Sequence, residues 1–140
     1  WLSAPPALGQ VIENLVQYST SGVAAFMQRG AIVALDDGDA FIALQVERAR
    51  AGRDILCGGL AGTGRVRFVE PAGAFYLFFA IDGEPDTRAL GLRLVDEANI
   101  GVAPGTAFGA GGEGFMRICF ARSADQVAEA TRRLVAWLTR

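Results

Sequence analysis

The texture of the chain changes once, at Gly62-Thr63-Gly64, and that change limits what it can fold into. Before it, apolar residues recur at helical spacing. After it, short strand-like runs alternate with helical ones. Val11, Ile12, Leu15 and Val16 place one apolar stripe on a helix over Ala7–Tyr18, opened by Pro5-Pro6. Ser19-Thr20-Ser21-Gly22 breaks it and offers N-caps to a second helix, Val23–Leu35, which is apolar on nearly every side and calls for burial all round. Asp36-Asp37-Gly38-Asp39 ends that helix and caps a third, from about Ala40 to about Leu60. Phe41, Leu44, Ile55 and Leu56 are its expected inward residues, and Gly52 marks a possible bend.

Beyond Gly64, Val66 and Phe68 alternate with Arg65 and Arg67 as in a half-buried strand. Glu70-Pro71-Ala72-Gly73 is a turn, and Ala74–Ile81 is a continuous apolar run of strand length, expected at the centre of a sheet. A helix over Asp86–Ala98, a short strand over Ile100–Ala103, a glycine-rich loop over Pro104–Gly114 and a strand over Phe115–Ala121 follow. Ser123 and Gln126, at capping-box spacing, open a last helix with Val127, Leu134 and Leu138 on one face and Trp137 beside it. Three helices and then β-β-α-β-β-α make an α+β fold, a small, largely antiparallel sheet with helices on one face.

Composition narrows the function classes. The net charge is −2 and the arginines are scattered, so no basic stripe points to nucleic acid or to a membrane surface. With 51% hydrophobic residues the chain is apolar for its size, yet its longest apolar runs have strand length. The surplus therefore reads as surface meant for a missing segment or a partner subunit. The two cysteines, Cys57 and Cys119, stand far apart in apolar settings and read as buried thiols of a reducing cytoplasm, neither a disulfide framework nor a metal site; no signal peptide is visible. All 13 basic residues are arginine, and histidine is absent. A chain without lysine cannot form a Schiff base to an aldehyde cofactor, and without histidine it lacks the commonest general base. The start at Trp1, with no initiator methionine, reads as a fragment or a processed chain.

Arg117 is the most informative single residue. Alternation places Met116, Ile118 and Phe120 on one strand face and Phe115, Arg117 and Cys119 on the other. An arginine in such a strand reaches water or a structural ion pair, or it presents its planar fork to a ligand carboxylate. Gly109, Gly111 and Gly114 formally match G-x-G-x-x-G, but a strand follows where a dinucleotide site needs a helix. Those glycines read either as a tight, mobile turn near a ligand or as an ordinary flexible loop. Asp36, Asp37 and Asp39 do not match a calcium loop and read as helix capping. Phe75 and Tyr76 point to opposite faces, so one of them is free to line a pocket at the strand's start.

Read in order, these segments resemble the aspartate aminotransferase family of fold-type I, pyridoxal-phosphate-dependent aminotransferases. Pro71-Ala72-Gly73-Ala74-Phe75-Tyr76 is similar to the family's P-x-G-x-F-Y/F strand. Val102-Ala103-Pro104-Gly105-Thr106-Ala107-Phe108-Gly109 is similar to its V-x-P-G-x-x-F-G segment, and Gly112 to Ala121 to its G-x-x-x-x-R-I-x-F-A strand. Ser123–Leu138 fits its closing helix. Gln17 to Gly22, followed by Gln28, resembles the helix pair after the cofactor lysine, and Trp1-Leu2 with Pro5 resembles the segment just past that lysine.

The resemblance implies the C-terminal part of the enzyme: residues 1–40 as helices of the large cofactor domain, 41–61 as an interdomain helix, and 62–140 as the small domain. It implies transfer of an amino group between an amino acid and a 2-keto acid, with pyridoxal phosphate as cofactor, in a cytoplasmic homodimer. Arg117 would hold the substrate carboxylate, with Gly73 and Phe75 near the substrate entrance. Tyr18, Ser19, Thr20 and Ser21 would approach the partner subunit's active site. The cofactor lysine itself would precede residue 1, leaving this chain alone inactive. The rival readings are an aminotransferase-like ligand-sensing domain of a transcription regulator, a related lyase of the same fold, and a free-standing small-molecule-binding domain.

Overall fold

The computed structural model describes residues 2–140. Trp1, matched above to the segment beside the cofactor lysine, lies outside the described residues. Residues up to Ile42 form one compact unit and Ala43–Arg140 a second. Among the described residues, no helix is long and apolar enough to cross a membrane.

The first unit holds a short 3-10 turn, Pro6–Leu8, then α1 (Gly9–Ser19) and α2 (Ala25–Asp37). Neither helix has a buried residue; Val11, Leu15, Phe26, Met27 and Leu35 are all exposed. The hydroxyl-rich turn does not cap α2 as the spacing predicts, since Ala24 stands at that N-cap with no side-chain hydrogen bond. Ser19 and Thr20 instead finish α1: their hydroxyls donate to the carbonyls of Leu15 (2.6 Å) and Val16 (3.4 Å). The Val16 carbonyl also accepts from the backbone N–H groups of Thr20 and Ser21, so hydroxyls and turn backbone close the helix end together. Asp36 and Asp37 also sit inside α2, leaving only Gly38 before α3 (Asp39–Ala61).

In the second unit, α3 packs Leu56, Cys57 and Leu60 into the core with Ile55 partly buried against it, while Leu44 there and Phe41 in the first unit, both expected to face inward, are exposed. α3 runs through Gly52 without interruption, and a methyl group there would lie 2.4 Å from the Phe120 carbonyl oxygen. The glycine lets the helix approach the chain just past the sheet.

The sheet comprises β1 (Val66–Phe68), β2 (Tyr76–Ile81), β3 (Ala103–Pro104) and β4 (Met116–Cys119), ordered β1-β2-β4-β3 and antiparallel throughout. The long apolar run is thus central, paired through Leu77 with Ile118 and Phe79 with Met116. These four side chains face the core with Leu90 and Leu94 of α4 (Thr87–Ala98) and Val127, Leu134 and Leu138 of α5 (Ala124–Leu138). Side-chain caps start both helices, the one at Ser123 as expected. The Asp86 carboxylate accepts from the N–H groups of Arg88 and Ala89, and the Ser123 hydroxyl accepts from that of Gln126 at 3.3 Å.

β3 is shorter and later than the expected Ile100–Ala103. Asn99 turns left-handed (φ 54°) to end α4, and the Ile100 N–H donates back to the Leu94 carbonyl. Ile100 is thereby spent closing the helix, its side chain buried in the core. Of the two cysteines only Cys57 is buried; Cys119 lies half-buried on the sheet's other face.

Candidate functional site

The face of the sheet turned away from the helices carries Arg117. Because strand side chains alternate, burying Met116 and Ile118 sends Arg117 and Cys119 to this side. Across β4, Arg117 pairs with Phe78 of β2 and Ala103 of β3. Its guanidinium carbon lies 4.0 Å from the ring centre of Tyr76 and 3.7 Å from that of Phe108. Among the described residues, no carboxylate lies within ion-pair distance of Arg117, and its guanidinium donates no hydrogen bond. Several other arginines are paired, as Arg67 is with Asp82, Arg93 with Glu84, and Arg132 and Arg133 with Glu129. Arg29, Arg48, Arg88 and Arg122, which have no ion pair among the described residues, are exposed to water. A half-buried guanidinium with its donors unspent is chemically a receptor for a planar anion.

The rings around it form one cluster. Phe78 stacks on Phe115 with ring centres 5.3 Å apart and meets Phe108 edge-on at 6.4 Å. Phe108 sits at the end of a 3-10 turn, Gly105–Phe108, followed by a second, Ala110–Gly112. The glycine-rich loop is therefore folded and locally packed, with Gly105 and Gly112 both buried. A strand, β4, follows it.

Of the other candidates, Phe75 is half-exposed and packs its ring 4.5 Å from that of Tyr76, one residue removed from Arg117. Gly73 lines a neighbouring cleft of about 260 Å³ with Arg53, Pro71 and Ala74, which Arg117 does not enter. Ala74 holds a left-handed conformation (φ 60°), costly for a residue with a Cβ, where the turn enters β2. Tyr18, Ser19, Thr20 and Ser21 belong to the first unit and are exposed. Phe108 was not singled out in the sequence: its place in the V-x-P-G-x-x-F-G segment was visible, but its approach to Arg117 depends on strand order.

No family model matches the chain. It is 32% identical over 134 residues to an aspartate aminotransferase of Pyrococcus horikoshii, covering 94% of this chain and 34% of that protein. It is 33% identical over 129 residues to an LL-diaminopimelate aminotransferase of Oleidesulfovibrio alaskensis, covering 92% of this chain and 32% of that one. The crystal structure of the aspartate aminotransferase from Rhizobium meliloti superposes with a TM-score of 0.87 at 26% identity, over 99% of this chain and 37% of the other. The chain spans about a third of the length of the curated relatives it matches. Over nearly all of its length the chain matches, in sequence and in fold, about a third of an aspartate aminotransferase, and that likeness is to fold-type I aminotransferases.

Proposed function

We propose that these 140 residues are the C-terminal part of an aminotransferase that moves an amino group between an amino acid and a 2-keto acid, and that Arg117 holds the substrate's α-carboxylate. The observation that carries this reading is the guanidinium between Tyr76 and Phe108 with no carboxylate partner among the described residues. Both substrates carry a carboxylate beside the reacting carbon. A bidentate grip there fixes the rest of the molecule, so positioning is the contribution of this segment. Phe75 and Gly73 border the approach in this reading. The rival regulator and lyase readings have less support, because the relatives described above carry aminotransferase names.

The cofactor of this reading, pyridoxal phosphate, takes a lysine amine at its aldehyde, and none of the 140 side chains is a lysine. These residues therefore do not fit as the holder of that group, and their chemistry is confined to binding and orienting substrate. In the same reading residues 1–40 belong to a large domain, 41–61 cross between domains and 62–140 form the small domain. The enzyme is a cytoplasmic homodimer, with Tyr18 to Ser21 near the partner subunit's site. The apolar side chains left bare on α1 and α2 support a further covering surface.

The test is a double comparison in the whole enzyme. L-Phenylalanine and 2-phenylethylamine differ by the carboxylate alone, as do L-alanine and ethylamine. Losing a charged hydrogen-bonded contact costs about 1.5–3 kcal/mol, about 10- to 150-fold in kcat/KM for the amino acid. Arg117→Ala should show that loss yet bind the carboxylate-free amine nearly as wild type does. Two independent, additive losses would refute the assignment.

A further inference from the structure

We infer that Phe108 and Tyr76 are positioning residues for Arg117: they hold its guanidinium between two aromatic faces, so that its N–H edge is presented in one fixed plane to a carboxylate. The inference rests on the reading of Arg117 as the carboxylate anchor and extends it to two residues with no polar role of their own in it.

The topology supplies the clamp. β4, which carries Arg117, lies between β2 and β3 in the sheet. Tyr76 comes from β2, and Phe108 from the turn that follows β3. The two rings thus reach the guanidinium from the strands on either side of its own, at 4.0 Å and 3.7 Å from its central carbon. Aromatic faces are electron-rich and attract a cation, but they accept nothing along the guanidinium's edge, where the N–H donors lie. The rings therefore fill the faces and leave the donors free. An arginine without such walls spreads over many rotamers and must give up that freedom when a ligand binds. Here much of that cost is met before the ligand arrives, which is how preorganisation raises affinity.

Both walls are themselves fixed. The Phe108 turn is closed by the Gly105 N–H donating to the Phe115 carbonyl at 2.7 Å, and Phe78 packs against Phe108 and Phe115. Tyr76 is held by its pairing with Cys119 and by the ring of Phe75. Phe108 is the better probe, because it is half-exposed and its replacement opens no cavity in the core.

The experiment uses the whole holoenzyme and the same paired probes, following whichever amino acid the wild type binds more tightly. Phe108→Leu keeps an apolar side chain but removes the ring, and it should weaken amino-acid binding by about 3- to 30-fold. The matching carboxylate-free amine should change by less than about twofold, and in an Arg117→Ala background Phe108→Leu should add less than about twofold. Phe108→Tyr restores the ring face and should recover most of the binding. Tyr76→Leu tests the opposite wall in the same way, and thermal melts check that each variant is folded. Equal losses for the amino acid and its amine would make the rings general packing and overturn the inference. So would unchanged amino-acid binding in both leucine variants while Arg117→Ala is strongly impaired. If Arg117→Ala itself binds the amino acid normally, the anchor reading fails and the clamp falls with it.

Discussion

Gly105 and Gly112 face each other at backbone contact: a methyl group on Gly105 would lie 2.2 Å from the Gly112 carbonyl oxygen, and one on Gly112 would lie 2.0 Å from that of Gly105. The contact closes the loop that carries Phe108. The glycines of this segment therefore act by lacking a side chain, and through Phe108 they bear on Arg117.

Gly105→Ala or Gly112→Ala should destabilise the protein by about 1–3 kcal/mol, because the obstructing atoms are backbone and cannot swing aside. Gly111 has open space at its Cβ position, so Gly111→Ala should stay within about 0.5 kcal/mol of wild type. Denaturant unfolding of the three variants checks the contrast. Equal stabilities would show that the loop is loose.

Arg117→Lys should separate charge from shape. An ammonium can still sit near the two rings, but it has no planar fork. With no protein carboxylate paired to Arg117 among the described residues, the melting temperature should stay near that of wild type. Amino-acid kcat/KM should fall by about tenfold or more. A lysine variant with full activity, or one that is chiefly unstable, would contradict the carboxylate role.

Acid should loosen the junction of α4 and α5. Trp137 donates its indole N–H to the Glu97 carboxylate at 2.8 Å, and Arg93 and Arg140 stand 3.5 Å and 3.6 Å from that group. The indole bond is the largest cause holding the Glu97 carboxyl below its usual range; desolvation comes next and opposes it, and Arg93 and then Arg140 add to the lowering. A carboxyl depressed in the folded state takes up its proton more readily when unfolded. Its contribution is complete above the unfolded value, about 4.3, and is lost as pH falls through the lower folded value. Glu97→Gln should therefore melt below wild type at neutral pH, and the gap should close in acid. A gap independent of pH would assign the effect to packing.

Hydrogen exchange of the isolated chain should be fastest across α1 and α2, which bury none of their residues, and slowest in β2 and β4. Strong protection of Gly9–Asp37 in a dilute monomer would count against their assignment to a larger domain.

Pyridoxal phosphate mixed with this chain and reduced with borohydride should leave no adduct on any side chain, because no lysine is present. Peptide mapping checks it; a stoichiometric adduct away from the N-terminal amine would contradict the expectation.

The sequence by itself determined the order of elements, the faces of the central strands and the cap of the last helix. Each is a matter of neighbours within one turn or one pleat: Leu77, Phe79, Met116 and Ile118 alternate inward, and Ser123 stands where a helix needs an acceptor. It also marked Arg117 as an exception on its strand. Tertiary structure decided what surrounds that exception. Phe108 reaches Arg117 because β3 pairs with β4 and not with β2, a choice made between residues far apart in the chain. The same distance hid the role of Gly52 as a point of contact with the Phe120 carbonyl in space. It hid the fate of Ile100 too, since a β-branched residue after a helix reads as strand until its N–H is seen closing α4. Local patterns report how a segment repeats; they carry no record of which segment comes to lie beside it, and that is settled by burying one common core.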